Sequence, residues 1–202
     1  MTSLVLATRN PHKTREFAQL IGPEFSVRDL EGFPDIDPIE ETGATFAENA
    51  AIKATTVSRR VDDFVVADDS GLEIDSLGGA PGIYSARYAG WQATDEENIA
   101  KLLAELGKND ERAAQFRCVL AVAHRGDTVV YFEGVVRGRI AREPSGTNGF
   151  GYDPVFIPDG YDQTFAEVGD ALKNQISHRA RAVAQLRDYL LGKKKGGENR
   201  RP

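Results

Sequence analysis

Apolar and polar positions change their period along the first part of the chain, which predicts strands and helices in alternation. Residues 3–7 form a short apolar run typical of a strand, and Asn10 then stands as a helix N-cap before Pro11. This helix is predicted to reach Ile21, and a loop-rich stretch is predicted to follow through Pro38. Alternating elements favour an α/β or α+β domain over an all-helical or an all-β one.

The middle of the chain predicts a second helix followed by a buried strand. Residues 45–48, with sequence Thr-Phe-Ala-Glu, have the spacing of a capping box and predict a helix that reaches about Arg60. The apolar run 64–67 is typical of a buried strand, and Asp68 and Asp69 are predicted to end it.

Glycines and capping residues divide the next part of the chain. The segment 78–82 is predicted to be a loop, and a second capping box at 94–97 starts a helix that Gly107 can end. Residues 113–123 and 128–132 predict a β-hairpin. Because a hairpin is antiparallel, the sheet is predicted to be mixed.

Two further strands and a last helix are predicted in the C-terminal part. The strands are expected at 135–140 and 155–157, with the glycine-rich loop 148–154 between them. The last helix is expected to start near Ser177, and its apolar face repeats at helical spacing in Val183, Leu186 and Leu190.

Composition and charge narrow the class of protein. A chain of 202 residues, 41% hydrophobic and 28% charged, suits one globular domain that can be built as two lobes. We assign this domain to residues 1–192 and expect the basic stretch 193–202 to be a disordered tail. The net charge of -6 argues against broad binding to nucleic acid, which depends on many Lys and Arg contacts.

Location and redox state are predicted from what the sequence lacks. No apolar run is long enough to span a membrane, and the N-terminus has no basic segment typical of a secretion signal. The single cysteine, Cys118, lies in an apolar run and is expected to be a buried, inert thiol. We therefore expect a cytoplasmic protein.

Several chemistries are excluded by spacing. The sequence contains no P-loop motif, no H-E-x-x-H pair and no G-x-S-x-G elbow, and one cysteine cannot build a Cys-based zinc site. A carboxylate-rich site is the metal site that remains, and oxygen ligands of this kind favour Mg²⁺.

Two segments are the first candidates for chemistry. The turn from Thr8 to Lys13 joins a strand to a helix N-terminus, which attracts anions, although a capped helix with surface charges is the commoner interpretation. Asp68 and Asp69 could bind Mg²⁺, or one of them could take a proton from water. A polar turn in which Asp68 caps its own backbone is an equal alternative.

Other candidates are weaker when taken singly. Glu40 or Glu41 could add a metal oxygen, and Lys53 on the following helix could reach phosphate or simply be solvated. Residues 149–153 combine aromatic rings with a carboxylate, which suits a heterocycle but also a core plug. Lys173 with residues 177–179 could contact phosphate or base oxygens, or form a capped basic helix.

Taken in order, these segments resemble the inosine triphosphate pyrophosphatase family. The resemblance spans nearly the whole chain and rests on the following motifs: Thr8-x-Asn10-x-x-Lys13-x-x-Glu16, Glu41-Thr42-Gly43-x-Thr45-Phe46-x-x-Asn49, Ala67-Asp68-Asp69-Ser70-Gly71-Leu72, Gly78-Gly79-Ala80-Pro81-Gly82-x-Tyr84-Ser85-Ala86-Arg87, Phe150-Gly151-Tyr152-Asp153-Pro154 and Ser177-His178-Arg179. It implies an elongated central mixed sheet between two lobes with a cleft, a homodimer, and Mg²⁺-dependent hydrolysis of inosine, deoxyinosine and xanthosine triphosphates to monophosphate and pyrophosphate.

The resemblance also implies roles for individual residues. Asp69 would be the general base, and Glu41 with Asp69 would help to place the metal. Substrate contacts would come from Thr8, Arg9, Asn10, Lys13, Lys53, Ser70, Phe150, Gly151, Tyr152, Asp153, Lys173, His178 and Arg179. Phe150 would stack on the purine, and Arg179 or His178 would donate to its 6-oxo oxygen.

Two other functions stay open on the sequence. A pyrophosphatase for pyrimidine or other modified triphosphates would use the same phosphate chemistry. A non-catalytic nucleotide-binding regulator would bind without releasing pyrophosphate, but the acidic pair Asp68 and Asp69 argues against it, because a triphosphate binder gains little from extra negative charge without a metal.

Overall fold

Across residues 2–197, which the computed structural model describes, six strands form one mixed sheet in the order β2-β1-β3-β4-β5-β6. The strands are β1 (Thr2–Leu6), β2 (Phe25–Asp29), β3 (Phe64–Ile74), β4 (Ala113–His124), β5 (Asp127–Ile140) and β6 (Phe156–Pro158). The α-helices are α1 (Pro11–Ile21), α2 (Phe46–Ser58), α3 (Asp95–Leu106), α4 (Phe165–Ile176) and α5 (His178–Gly197). Short 3₁₀ helices span Leu30–Gly32, Asp75–Leu77 and Gly82–Arg87.

The sheet is mixed, as the sequence predicts. β1 pairs in parallel with β2 and β3, whereas β3, β4, β5 and β6 pair antiparallel in succession. The predicted hairpin is confirmed as β4 and β5, which turn at Arg125 and Gly126. The two-lobe arrangement stays a prediction.

The helices start where the capping residues predict. Asn10 Oδ1 accepts hydrogen bonds from the backbone N–H groups of His12 and Lys13 at 2.9 and 3.3 Å, and Pro11 follows as the first residue of α1. Thr94 and Glu97 form a complete capping box at the start of α3. Gly107 ends this helix, as predicted.

Strand β3 is longer than the sequence predicts. Asp68 and Asp69 do not end it, because the strand continues to Ile74 and pairs with β4 through both aspartates. Two adjacent acids can lie in a buried strand because each is held by basic side chains from neighbouring helices. Gly71 is needed in the same strand, since a Cβ there would lie 2.5 Å from Ser85 Oγ.

Three other predictions of secondary structure need correction. The loop-rich stretch before Pro38 contains β2, whose Phe25 is buried in the core. The separate strand predicted at 135–140 is the second half of β5, which continues through Glu133 and Gly134 because β4 pairs along its whole length. Helix α4 was not predicted, although Thr164 and Glu167 form a capping box at its start.

Helices cover both faces of the sheet and divide the core. On one face α1 and α5 bury Phe17, Val183 and Leu186, and on the other face α2 packs its apolar side on the sheet. Residues from α3, α4 and the far ends of the strands form a third cluster. Side chains of a strand alternate between faces, so Asp68 points toward α1 and α5 while Asp69 points toward α2.

Helix α5 lies very close to the sheet at Gly134 of β5. A Cβ on this glycine would lie 2.7 Å from the backbone nitrogen of Ala182 and would also meet the carbonyl of His178. The glycine therefore lets the first turns of α5 rest on the strand, which places the start of this helix beside β3.

The end of α5 overlaps the predicted tail 193–202, of which residues 198–202 lie outside the described residues. None of the helices within residues 2–197 is both long and apolar enough to cross a lipid bilayer.

Candidate active site

Asp68 is a buried anchor that joins several elements. Its carboxylate accepts hydrogen bonds from Lys13 Nζ at 2.8 Å and from Arg179 Nε at 2.7 Å, which brings α1 and α5 together over β3. Ser70 and the thiol of Cys118 also donate to it. Burial alone raises the pKa of Asp68, but the charges of Arg179 and Lys13 outweigh it and hold the pKa well below its usual range.

Asp69 has a different environment on the other side of the sheet. Its Oδ1 accepts a hydrogen bond from Lys53 Nζ at 2.9 Å, whereas its Oδ2 is buried without a hydrogen-bond partner in the described part of the chain. Burial raises the pKa of Asp69, and Lys53 offsets this shift only in part. A carboxylate with one free oxygen and a raised pKa is suited to accept a proton.

Of the two neighbouring glutamates, Glu41 is the one that lies near Asp69, because both carboxylates pair with Lys53. Glu41 Oε1 lies 2.6 Å from Lys53 Nζ, and its Oε2 lies 3.4 Å from Arg87, whereas Glu40 is exposed. The loop that carries Glu41 is tied to α2, because Asn49 Oδ1 accepts the N–H of Gly43 at 2.8 Å.

Lys53 has all of its donors engaged within the protein. Its ammonium donates to Glu41, to Asp69 and to the backbone carbonyl of Asp68, the last at 3.0 Å. An ammonium has three N–H bonds, so a phosphate contact requires that one of these partners be released. In this arrangement Lys53 holds the two carboxylates side by side.

The residues present fit a hard divalent cation. Asp69 Oδ2 is free, and Glu41 and Asp69 already share one cation, Lys53, at 2.6 and 2.9 Å. In the described chain no three His, Cys, Asp or Glu side chains are grouped to hold a metal on their own. Mg²⁺ commonly takes only one or two protein carboxylates together with substrate phosphates, so this donor set suits it.

The strand-to-helix turn before α1 contributes fewer donors than predicted. Asn10 occupies the N–H groups of His12 and Lys13, and Thr8 Oγ1 accepts the N–H of Asn10 at 3.1 Å. The guanidinium of Arg9 points away and donates to the carbonyls of Leu30 and Ile36. The predicted phosphate contact of Arg9 therefore does not fit this structure, while Lys13 does face the acidic pair.

A cavity of about 260 Å³ lies beside Ser70 and Gly71 of β3. It is bounded by side chains from the start of α1, from the glycine-rich loop, from α4 and from the start of α5, among them Lys13, Phe150, Asp153, Lys173, His178 and Arg179. The structure thus brings together most of the predicted substrate contacts around one space.

Phe150 stands at this cavity with several neighbours on its ring. The His12 ring stacks on it with centroids 5.2 Å apart, and Lys173 Nζ lies 4.9 Å from the ring centroid. An inserted purine needs about 7 Å between flanking rings, twice a contact distance of roughly 3.5 Å. A purine can stack between Phe150 and His12 only if the two rings separate.

Three of the predicted substrate contacts, Tyr152, Gly151 and Asp153, form hydrogen bonds that hold this loop in place. Tyr152 is buried, and its hydroxyl donates to the carbonyl of Ser85 at 2.9 Å, so its phenol is used to fix the loop. The N–H of Gly151 donates to Asp95 at 2.6 Å. Asp153 Oδ2 accepts the N–H of Phe150 at 2.9 Å and the ammonium of Lys173 at 2.6 Å.

His178 and Arg179 differ in what they can offer a ligand. The three nitrogens of Arg179 donate to Asp68, Glu16 and Ser70. His178 stacks on Phe116 with centroids 4.8 Å apart, and its buried Nδ1 has no partner among residues 2–197. Burial and the charges of Arg179 and Lys173 hold the pKa of His178 well below its usual range, so the imidazole is neutral.

The ion pairs of the site contain equal numbers of cations and acids. Among its described side chains five cations pair with five acids: Lys13, Lys53, Arg87, Lys173 and Arg179 with Glu16, Glu41, Asp68, Asp69 and Asp153. A polyphosphate therefore meets no net positive charge from these side chains, so a bound divalent cation would supply the missing attraction.

Sequence reasoning did not assign roles to Glu16, Arg87 and Asp95. Glu16 accepts from Lys173 and Arg179, Arg87 contacts Glu41, and Asp95 holds the glycine-rich loop. The spacing of Glu16 three residues after Lys13 was a usable signal, because such residues share a helix face. The contacts of Arg87 and Asp95 depend on the tertiary fold and leave no local pattern.

The chain is therefore a mixed-sheet α/β protein whose candidate site combines buried acids and lysines with a cavity that has aromatic and imidazole walls. The sequence pattern of the Ham1 family matches residues 4–189. The chain belongs to this family, which confirms the family resemblance in its motifs.

Relatives and solved structures agree with this assignment. The dITP/XTP pyrophosphatase of Bacillus licheniformis is 49% identical over 193 residues, covering 94% of this chain and 98% of the relative. The enzyme of the same name from Bacillus subtilis is also 49% identical, with the same coverage. The Ham1 proteins of Staphylococcus aureus and Coxiella burnetii have TM-scores of 0.85 and 0.86 at 42% identity, covering 95% of this chain and 100% of each neighbour.

Proposed function

We propose that this protein hydrolyses inosine, deoxyinosine and xanthosine triphosphates to the monophosphate and pyrophosphate. The names of its relatives, dITP/XTP pyrophosphatases, support this activity and this class of substrate. The observation that carries the proposal is the free Oδ2 of Asp69, a buried carboxylate oxygen beside Lys53 and Glu41. Such an oxygen is suited to take a proton from a water molecule that attacks phosphorus.

In the proposed reaction Asp69 Oδ2 takes the proton while the water oxygen bonds to the α-phosphorus. The bond from the α-phosphorus to the oxygen bridging to the β-phosphate breaks, and pyrophosphate leaves with that oxygen. Lys53 keeps the Asp69 carboxylate in place through Oδ1, at 2.9 Å, so that Oδ2 stays directed at the water. Lys13 and the positive end of α1 offset charge that grows on the phosphates.

Mg²⁺ is the proposed cofactor. Glu41 and Asp69 Oδ1, which share Lys53, would hold it and leave Asp69 Oδ2 for the proton. When bound, it neutralises phosphate charge and polarises phosphate oxygens. The balanced charges of the site support this requirement, because the cationic side chains are already paired with acids. Phosphoryl transfer depends mainly on positioning and on charge neutralisation, which this site can supply only in part by itself.

Purine selectivity is proposed to rest on His178. Its neutral ring can donate to the 6-oxo oxygen of hypoxanthine or xanthine, and its Nδ1 is buried without a partner within residues 2–197. Adenine has an amino group at this position and would leave the donor unpaired, which costs binding energy in a buried site. Arg179 is the weaker candidate, because its nitrogens are held by Asp68, Glu16 and Ser70.

A homodimer in the cytoplasm completes the proposal. Exposed aromatic side chains at Tyr84, Trp91 and Tyr131 support a contact between copies, and the reduced, buried Cys118 suits a reducing compartment. Light scattering of the purified protein would measure the oligomeric state.

One experiment tests the activity. Pyrophosphate release is measured from inosine, xanthosine, guanosine and adenosine triphosphates, each with Mg²⁺ and with a chelator, for the wild type and for Asp69→Asn. We expect release from the inosine and xanthosine nucleotides only, only with Mg²⁺, and only in the wild type. A wild type that leaves every triphosphate intact with Mg²⁺ would overturn the proposal.

A further inference from the structure

Glu16, on the same helix as Lys13, pairs with two cations that line the cavity, Lys173 and Arg179. Its Oε1 lies 2.6 Å from Lys173 Nζ, and its Oε2 pairs with Arg179 Nη1. Lys13 and Glu16 are three residues apart on α1, so they share one face of the helix. One helix therefore presents a cation to the acidic pair and an acid to the pocket.

These contacts belong to one line of alternating charges across the cavity wall. The line runs through Lys13, Asp68, Arg179, Glu16, Lys173 and Asp153, with each member paired to the next. It is largely buried: Arg179 and Lys173 expose 2% and 4% of their side chains, and Glu16 exposes 15%. Buried ion pairs of this kind fix side-chain positions, because a member that loses its partner keeps an uncompensated charge.

Glu16 is the member that joins the two cations of the pocket to each other. Lys173 is otherwise held by Asp153, and Arg179 by Asp68 and Ser70, so each cation keeps one end fixed without Glu16. Both cations line the cavity next to Phe150, where the base is proposed to bind. An ammonium or guanidinium with unfilled donors binds any ring nitrogen or oxygen that reaches it.

We propose that Glu16 is a positioning residue for purine selectivity: it takes one donor of Lys173 and one of Arg179 and holds both cations in place, so that the donors left over cannot turn toward adenine. The inference rests on the proposed function of the same site. Glu16 does not contact the reacting atoms, and it acts through the two cations that it holds.

The test compares Glu16→Gln with Gln19→Ala, a matched control on the same helix. Gln19 accepts a hydrogen bond from Asn174 of α4 at 2.9 Å, so its loss breaks an exposed contact between α1 and α4 without touching the buried charges. For each variant, kcat and KM are measured with inosine and adenosine triphosphates. The inhibition constant of inorganic tripolyphosphate, which reports the phosphate end alone, and the unfolding temperature are measured alongside.

In Glu16→Gln we expect the ratio of kcat/KM for inosine over adenosine triphosphate to fall by about tenfold to a hundredfold, as misplaced contacts in a site typically cost. The tripolyphosphate constant should not change, because Lys13 and Lys53 keep their acids. Gln19→Ala should keep the wild-type ratio.

Each unfavourable result has its own meaning. If Glu16→Gln is folded and keeps the wild-type ratio, or if both rates fall together with the tripolyphosphate constant, the role of Glu16 in selectivity is wrong. If the wild type itself releases no pyrophosphate from inosine triphosphate, the proposed function fails first, and direct binding of tripolyphosphate and inosine then tests the pocket separately.

Discussion

Asp68 and Asp69 are adjacent in β3, yet their carboxylates lie on opposite faces of the sheet and have opposite shifts in pKa. Asp68 is surrounded by Arg179, Lys13 and Ser70, which favour its charged form. One oxygen of Asp69 accepts a hydrogen bond from Lys53. The other oxygen is buried and has no hydrogen-bond partner among the described residues. Asp68 is therefore a structural anion, and Asp69 is the proposed proton acceptor.

Asp69→Asn should remove turnover and leave the fold intact. We expect kcat to fall by about three orders of magnitude, within the range for loss of a general base. Lys53 can still donate to the remaining oxygen, so the unfolding temperature should not fall. Steady-state kinetics and thermal unfolding measure both effects, and substantial remaining kcat would show that another group takes the proton.

Asp68→Asn should instead weaken the fold. Replacing a buried, paired carboxylate leaves Arg179 and Lys13 without their shared anion, which typically costs about 3 to 5 kcal/mol in the free energy of unfolding. The exposed pair of Arg28 and Asp63 gives the control, since Asp63→Asn should cost less than about 1 kcal/mol. Urea unfolding of both variants measures the difference, and equal losses would contradict the role of Asp68.

The stability difference between wild type and Asp68→Asn should depend on pH. The pKa of Asp68 is lowered in the folded protein, so its contribution to stability is present above the unfolded value of 3.8 and is lost as pH falls toward the folded pKa. We therefore expect the two unfolding curves to converge on acidification. Curves that stay parallel at low pH would show that the carboxylate is not the source of the stability.

The loss of activity at low pH should follow the pKa of Asp69, which depends on Lys53. A general base works when deprotonated, so a raised pKa moves the loss of kcat/KM to a pH above the usual value of 3.8. Because Lys53 lowers the pKa of Asp69, Lys53→Met should move this loss to still higher pH. Rate profiles of the two proteins give the comparison, and a loss of the residual activity at an unshifted pH would refute the assignment.

His12→Ala should strengthen binding of the base. The His12 ring stacks on Phe150 at 5.2 Å between centroids and must move before a purine can take that face. We expect KM for inosine triphosphate to fall by about threefold to tenfold, the value of one aromatic contact. His124→Ala removes a similar stack on Phe64 and should leave KM unchanged. A higher KM in His12→Ala would mean that His12 helps to hold the purine.

Local patterns were sufficient for the caps and the hairpin, and ten of the candidate substrate contacts, assigned through the family resemblance, line one cavity. Asn10 and Thr94 cap their helices because this depends on neighbours within three residues. The strand β2 and the helix α4 were missed, since only Phe25 and Val27 of the five residues of β2 are apolar and Gly169 interrupts the helical pattern of α4. Local signals are weakest where tertiary packing decides the element.

The partners that each side chain of the site binds could not be predicted from the sequence. Arg9 and Lys53 are basic residues in suitable motifs, but the structure shows Arg9 holding loop carbonyls and Lys53 holding two carboxylates. Which of the two aspartates keeps an oxygen without a partner depends on which face of β3 each side chain occupies. The two faces differ because β3 continues past Asp69 to Ile74, and the apolar run 64–67 gives no sign of this.

Gly134 has only a hydrogen atom in place of a side chain, so helix α5 can lie close to β5. The first residues of α5, His178 and Arg179, line the proposed base site. Alanine at position 134 would meet the backbone of α5 at His178 and Ala182, and the helix would have to rise off the strand. The imidazole and guanidinium at its start would rise with it. Nucleotide preference in this protein can therefore be altered from the middle of a strand, by a residue that need not contact any nucleotide.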